Sequence, residues 1–352
     1  MNIVILYTTI GHYMYATINA ITQLNQDSHV YVVFDDKYGV DKNYNKLEEI
    51  ARVKYIPKSS LSKAQLYSFI VELNPKILYF PAWQDREYFH VVKKIRRLKS
   101  KTIFIGGFDD IWFGRLRQVV GSIYFRLFYR KYFDYAWISG KPQYSYAQRM
   151  GFDMETIIND LYCADTNTFI EVVNENRQKR FLFVGRFVKE KGLDVLLDAY
   201  DMLEEDIKEE WSLCLIGAGS LLNQIQKRQS RFIKIIPYLQ KDELKVELQK
   251  GGVCVIPSIK DQWGLPVHEM ALSGYPLIVS SAVGSASEFL ISGLNGYKFK
   301  KGNVQSLYNA LIKITSLPEH ELNNFGAQSE KLGARINSKF SAASFLSVIE
   351  FD

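Results

Sequence analysis

Asp261 and Glu269 stand eight positions apart within residues 257–288, both between two apolar runs, 253–256 and 276–281. The first run has strand character and breaks at Pro257-Ser258 into a polar loop, which sets Asp261 outside a strand end. Leu265-Pro266 then opens a short helix, since a first turn does not need the N–H that proline lacks, and Gly274 with Pro276 ends it. Glu269 falls in the first turns of that helix, able to face back towards the loop. Past the second run, Gly284, Ser285, Ala286 and Ser287 lead into a helix expected near Glu288. Small residues at a helix start let amide groups approach an anion, and the helix dipole favours negative charge there. Two carboxylates beside an anion cradle suit a ligand with both hydroxyls and phosphates, which a sugar nucleotide has. The plainer alternative is one strand, loop, helix, strand unit of any α/β protein with both carboxylates solvated, and the pattern by itself does not choose.

The stretch resembles the retaining, glycogen-synthase-like glycosyltransferases of group 1 (family 4). Their signature is Pro-Ser, an acidic residue, seven residues, a Glu, and later Gly-Gly-x-x-Glu. Pro257, Ser258, Asp261, Glu269, Gly284 and Glu288 match in order and spacing. Asp261 replaces the commoner glutamate, and Ser285 replaces a second glycine. The resemblance implies that Glu269 accepts hydrogen bonds from the donor's ribose, that Asp261 and its loop, with Gly264 and Leu265 at the loop-to-helix junction, address the hexose, and that amides around Ser285 and Ala286 help hold the diphosphate.

Further elements resemble the same family. Residues 180–185 form an apolar run into Arg186, followed by Lys189-Glu190-Lys191-Gly192 and a helix expected over 193–203. In the family pattern of Val-Gly-Arg and then Lys-Gly, Arg186 and Lys191 bind the donor diphosphate, and two cations there would stabilise the charge of a departing diphosphate without a bound metal. Gly217-Ala218-Gly219-Ser220 resembles the family's Gly-x-Gly turn, a weak signal alone. Pro237-Tyr238-Leu239 stands where the family holds the nucleobase, which puts Tyr238 among the donor contacts.

In the first half, apolar runs at 1–8 and 29–34 flank a helix over 13–24, so the chain opens as a βαβ unit. Gly11 and His12 lie in the turn after the first strand, where doubly wound sheets place ligands. They are candidates for an acceptor or phosphate loop, and an exposed turn histidine is the simpler alternative. Further strands are expected at 53–56, 77–80 and 102–105. The last runs into Gly106-Gly107-Phe108-Asp109-Asp110, two glycines and paired aspartates at a strand end. The resemblance implies a residue close to the transferring sugar in this region. With no histidine here, that role falls to Asp109 or Asp110, while the other caps a helix expected to start near Ile111.

The fold expected is α/β of the GT-B type: two Rossmann-like domains facing a central cleft, with a C-terminal helix returning to the first. The boundaries expected are 1–168 for the acceptor-binding domain, 169–180 for a polar linker, 181–332 for the nucleotide-sugar domain and 333–352 for the returning segment. At 352 residues the chain is long enough for two such cores. No apolar run approaches the roughly 18 to 20 residues that span a bilayer, and the start of the chain reads as a strand and not a signal peptide. Cys163, Cys214 and Cys254 lack pairing or metal spacing, which suits buried thiols and a cytoplasmic setting.

The net charge is +6. Lys93, Lys94, Arg96, Arg97, Lys99 and Lys101 form a basic helix end, and Arg115, Arg117, Arg126, Arg130 and Lys131 recur among aromatic residues. Two alternatives fit, a solvated face and a seat on anionic lipid at the cytoplasmic face of the inner membrane. No nucleic-acid-binding module accompanies the charge. The expected activity is transfer of a hexose-type sugar from a nucleoside-diphosphate sugar, a co-substrate, to a glycan or lipid-linked oligosaccharide in bacterial surface-polysaccharide assembly. Retention is implied by the family, and neither cofactor nor metal is called for. Two alternatives remain: a non-catalytic subunit binding a partner glycosyltransferase or a nucleotide, which intact Arg186, Lys191 and Glu269 argue against and which donor turnover lost in Lys191→Ala would exclude, and a sugar-nucleotide epimerase, which would convert the donor with no acceptor present.

Overall fold

The strands of this chain are nearly continuous apolar runs, the pattern of parallel sheets covered on both faces. A computed structural model describes residues 1–36, 49–98, 100–169 and 177–349. Residues 170–176 of the expected linker, and Lys99 of the basic run, lie outside them.

The chain forms two compact units, residues 1–163 with 336–352 and residues 164–335. The first holds a seven-stranded sheet, β1 (Asn2–Tyr7), β2 (His29–Phe34), β3 (Val53–Pro57), β4 (Ile77–Phe80), β5 (Ile103–Phe108), β6 (Tyr135–Ile138) and β7 (Ile157–Ile158), in the order β3-β2-β1-β4-β5-β6-β7. The second holds β8 (Arg180–Val184), β9 (Ser212–Ile216), β10 (Ile233–Ile236), β11 (Val253–Ile256), β12 (Leu277–Ser280) and β13 (Gly296–Phe299), in the order β10-β9-β8-β11-β12-β13. Every strand pair is parallel. Strand order reverses between β1 and β4 in one sheet and between β8 and β11 in the other, and each reversal splays the loops that follow those strands.

Helix ends are set by local polar groups. Ser62 and Gln65 form a reciprocal capping box before helix Lys63–Leu73, and the Asp85 carboxylate accepts the Glu87 and Tyr88 amides at the start of Arg86–Arg96. The last helix, Ser338–Leu346, is capped by Asn337 and packs within the first unit on helix His12–Leu24. There the Thr17 hydroxyl donates to Ser341 Oγ at 3.3 Å, and Phe345 lies against Trp137 with ring centroids 4.9 Å apart.

The helix expected near Ile111 instead begins at Leu116. Gln118 explains the delay: its Oε1 accepts the Phe113 amide at 2.9 Å and its Nε2 donates to the Ile111 carbonyl at 2.7 Å. That side chain ties down main-chain groups ahead of the helix, whose N-cap is Arg115, so neither Asp109 nor Asp110 caps it.

Candidate functional site

In the second unit, the chain leaves β8 through Gly185, Arg186 and Phe187 into a single 3₁₀ turn, Lys189–Lys191, and leaves β11 through residues 257–264. The Ile259 and Lys260 amides both donate to the Glu190 carbonyl, at 2.9 and 3.3 Å, which joins the two loops. Lys191 and Asp261 meet there, with Nζ to Oδ2 at 2.5 Å, and the Ser258 hydroxyl donates to the same oxygen at 3.4 Å. Both side chains are largely shielded from water, so salt screens this pair less than a surface ion pair. Gly192 makes the approach possible. Its φ is +66°, and a Cβ there would stand 2.2 Å from the Pro257 carbonyl oxygen.

Arg186 is exposed and forms no ion pair among the described residues. Its loop is gripped from the Gly-x-Gly turn: the Phe187 amide donates to the Ala218 carbonyl at 2.8 Å, and the Leu221 amide to the Phe187 carbonyl at 2.9 Å. A Cβ at Gly217 would lie 1.9 Å from the Gly185 oxygen. The glycine pair therefore serves to hold the arginine loop.

The loop after β12 is stitched to the loop after β11. The Gly284 amide donates to the Asp261 carbonyl at 3.3 Å, the Ser285 amide to the Trp263 carbonyl at 2.7 Å, and the Ser285 hydroxyl to the Gly264 carbonyl at 2.7 Å. Ser285, fully buried, thus has both its N–H and its hydroxyl engaged internally, and it holds the two loops at one spacing. Ala286 opens a short helical turn, Ala286–Phe289, and Glu288 is buried within it.

Helix Leu265–Leu272 starts at Gly264 with proline in its first turn. Glu269 is half-buried on this helix, and its charge, after burial itself, helps push the Cys254 thiol in β11 far above the ordinary range. Beside it, His268 is fully buried. Its Nδ1 accepts the Ala164 amide at 2.9 Å, so Nε2 carries the proton and donates to the Gly333 carbonyl at 3.0 Å. The ring stacks on Phe289 at 4.0 Å. Sequence reasoning passed over His268; a histidine on an otherwise apolar helix next to a singled-out glutamate was the available signal. Tyr238 is exposed past β10, next in sequence to Pro237 and Leu239 of an open groove whose apolar lining, with Ile235, Ile236 and Val246, is edged by Lys234, Glu243 and Glu247.

In the first unit, Asp109 and Asp110 follow β5, and the two differ. Asp110 is exposed, whereas the Asp109 carboxylate is screened and accepts the Tyr162 hydroxyl at 3.4 Å. Burial, then the neighbouring charge of Asp110, raises the Asp109 carboxyl above the usual aspartate range. Around it, Tyr7, Tyr79 and Tyr162 are held protonated by burial. Gly11 and His12 form the entry of helix His12–Leu24 at the end of β1, with His12 edge-on to Tyr13. Among the described residues, no three His, Cys, Asp or Glu side chains gather at metal-binding spacing, and no helix is long and apolar enough to cross a membrane.

Residues 165–332 match the family model of glycosyl transferases group 1. An uncharacterized glycosyltransferase of Methanocaldococcus jannaschii is 29% identical over 150 residues, 42% of this chain and 41% of its own length. Two solved structures align with nearly the whole chain: sucrose-phosphate synthase from Thermosynechococcus elongatus, at TM-score 0.73, 15% identity, 98% of each chain, and HepE of Anabaena in complex with UDP, at TM-score 0.73, 15% identity, 99% of this chain and 100% of that one. The architecture is that of GT-B glycosyltransferases.

Proposed function

We propose that this chain, whose residues 165–332 belong to the group 1 glycosyl transferases, moves a hexose-type sugar from a nucleoside-diphosphate sugar to a glycan or lipid-linked oligosaccharide acceptor in surface-polysaccharide assembly. The observation that carries the proposal is the Lys191–Asp261 pair where strand order reverses between β8 and β11, with exposed Arg186 on the same β8 loop. Transfer breaks the bond from the anomeric carbon to the diphosphate, whose oxygen leaves with the electron pair; an acceptor hydroxyl oxygen takes the carbon, and its proton passes to the departing diphosphate. Two cations at a switch point answer the charge that then develops on the diphosphate. In this reading Arg186 and Lys191 supply them without a metal, Glu269 accepts from the ribose hydroxyls, and Asp261 divides its oxygens between Lys191 and the sugar. The groove beside Tyr238 takes the base.

Of the first unit's pair, Asp109 is the better suited to the reacting sugar, being screened and oriented by Tyr162. Transfer with retention, the habit of the family, and a cytoplasmic site of action belong to the same reading. UDP in the HepE structure makes uracil the first base to try.

Thermal-shift measurements against UDP, GDP, ADP, CMP and their sugar conjugates test the donor site, since selective binding raises apparent stability by mass action. One nucleoside diphosphate should stabilise the wild type and fail with Lys191→Ala and Glu269→Ala. No shift with any nucleotide at saturating concentration overturns the proposal, and a chelator that abolishes transfer overturns its metal-free form.

A further inference from the structure

Between Asp110 and Asp134 the chain has no acidic residue and five cations, Arg115, Arg117, Arg126, Arg130 and Lys131. The segment is helical, as Leu116–Tyr124 and then a π-helical turn, Phe125–Tyr129. One face is anchored in the first unit's core: Phe125 is fully buried, with ring centroids 5.1 Å from both Trp83 and Phe133. The opposite face is apolar too. Leu116, Val120, Ile123, Tyr124, Leu127 and Phe128 recur at helical spacing, and their exposure runs from 47% to 79%. A helix on the surface of a water-soluble unit normally turns its polar side outward. Here the outward side is a stripe of large apolar residues, the kind of surface that marks an interaction.

We infer that this stripe is a membrane seat: Leu116, Val120, Ile123, Tyr124, Leu127 and Phe128 enter the headgroup–acyl boundary of a bilayer, and the flanking cations meet its anionic lipids. Arg115, Arg117, Arg126 and Lys131 are exposed, and none forms an ion pair among the described residues, so their charge is available to an outside partner. Anionic lipid supplies the missing sign, and an apolar face rimmed by cations is the composition that binds such surfaces. A second copy of the chain fits less well, because docking two of these faces brings like charges together around the patch. The π turn fits a functional site as well. This inference deepens the proposed lipid-linked acceptor and rests on it for its purpose, since a seated enzyme meets a lipid-borne glycan at the bilayer.

Flotation of the full chain with vesicles of phosphatidylcholine alone, or with phosphatidylglycerol added, tests it. The wild type should float with the anionic vesicles and partition at least about tenfold less onto neutral ones, given roughly a factor of five per engaged cation. Ile123→Glu with Leu127→Glu, both exposed and so tolerable to the fold, should abolish flotation. Arg117→Gln with Arg126→Gln should weaken the preference for anionic lipid, by roughly a factor of five for each arginine engaged. No flotation of the wild type, or flotation unchanged in the Glu pair, overturns the inference. A wild-type dimer in light scattering that the Glu pair makes monomeric, with no flotation, assigns the stripe to a second copy and also overturns it. The nucleotide thermal shift, repeated on the Glu pair, reports the donor site separately: its presence without flotation sinks only the membrane seat, and flotation without any nucleotide shift sinks only the donor reading.

Discussion

The ammonium of Lys191 lies 2.5 Å from Oδ2 of Asp261, though 70 residues separate them in the chain. A lysine already paired with a carboxylate competes for an incoming phosphate with its own partner. Removing the charge of Asp261 should therefore free Lys191. In Asp261→Asn, nucleoside diphosphate without sugar should bind about tenfold tighter, while sugar transfer falls, since a charge-assisted hydrogen bond contributes roughly 1.5–3 kcal/mol. Lys191→Ala should weaken the same ligand by about 10- to 100-fold on that scale. Isothermal titration of both variants with the nucleotide found by thermal shift separates the two effects. Equal weakening in both would remove Asp261 as a competitor and make it a direct ligand.

The pair depends on how closely two loops pass. Gly192 and Gly302 have nearly the same backbone angle, φ +66° and +65°, but different surroundings: a Cβ at Gly192 would meet a carbonyl oxygen at 2.2 Å, and one at Gly302 would meet nothing nearer than a methyl group at 4.0 Å. Gly302→Ala should show the conformational penalty alone, about 1 kcal/mol. Gly192→Ala adds a collision with main chain and should be worse by a further 1–3 kcal/mol or so, with loss of the nucleotide-induced shift. Thermal melts of the two variants give the comparison.

Much of this was legible in the sequence because it is periodic or local. The helix expected over 13–24 is found as His12–Leu24, and the strand expected before Pro257 is Val253–Ile256. Asp261 and Glu269 could be singled out from their types and spacing, and Arg186 and Lys191 from the resemblance of their segment to the Val-Gly-Arg and Lys-Gly pattern of the family. That Lys191 holds Asp261 could not, because the contact exists only once β8 and β11 lie side by side at the reversal of strand order. Ser285 read as part of an amide cradle for the diphosphate, whereas its amide bonds the Trp263 carbonyl and its hydroxyl the Gly264 carbonyl, 21 residues away. The delayed helix after Asp110 hid for a similar reason, since it rests on the two side-chain bonds of Gln118 and not on hydrophobic period.

Asp109 gives a pH prediction whose sign follows from its environment. Burial and the charge of Asp110 raise its carboxyl in the folded protein above the ordinary 3.8. The folded state then holds this proton more tightly than the unfolded chain does, so stability is fully present below 3.8 and is lost as pH rises through the raised folded value. Asp109→Asn abolishes that loss. The variant should melt higher than wild type at neutral pH, with the gain shrinking as pH falls towards 3.8, and should transfer no sugar while still binding nucleotide. A melting difference independent of pH would mean that Asp109 is not held in the environment described.

His268 gives the last prediction. Its two ring nitrogens join Ala164 to Gly333, contacts spanning 104 and 65 residues, from the helix that carries Glu269. All of these groups are buried in the second unit, so no water stands ready to replace the imidazole. His268→Ala leaves an amide N–H and a carbonyl without partners and takes away the ring that covers Phe289. Each unsatisfied group costs about 1–3 kcal/mol, so a total of roughly 2–5 kcal/mol is expected. A merely space-filling role predicts something different. His268→Phe, which keeps an aromatic ring and loses both hydrogen bonds, should then be nearly neutral, whereas the bonding role makes it almost as damaging as alanine. Hydrogen exchange resolves the two at one position: the Ala164 amide should exchange much faster in both variants than in wild type. If His268 also positions its neighbour, nucleotide affinity should fall in both, because the helix presenting Glu269 loses the tie that fixes its orientation.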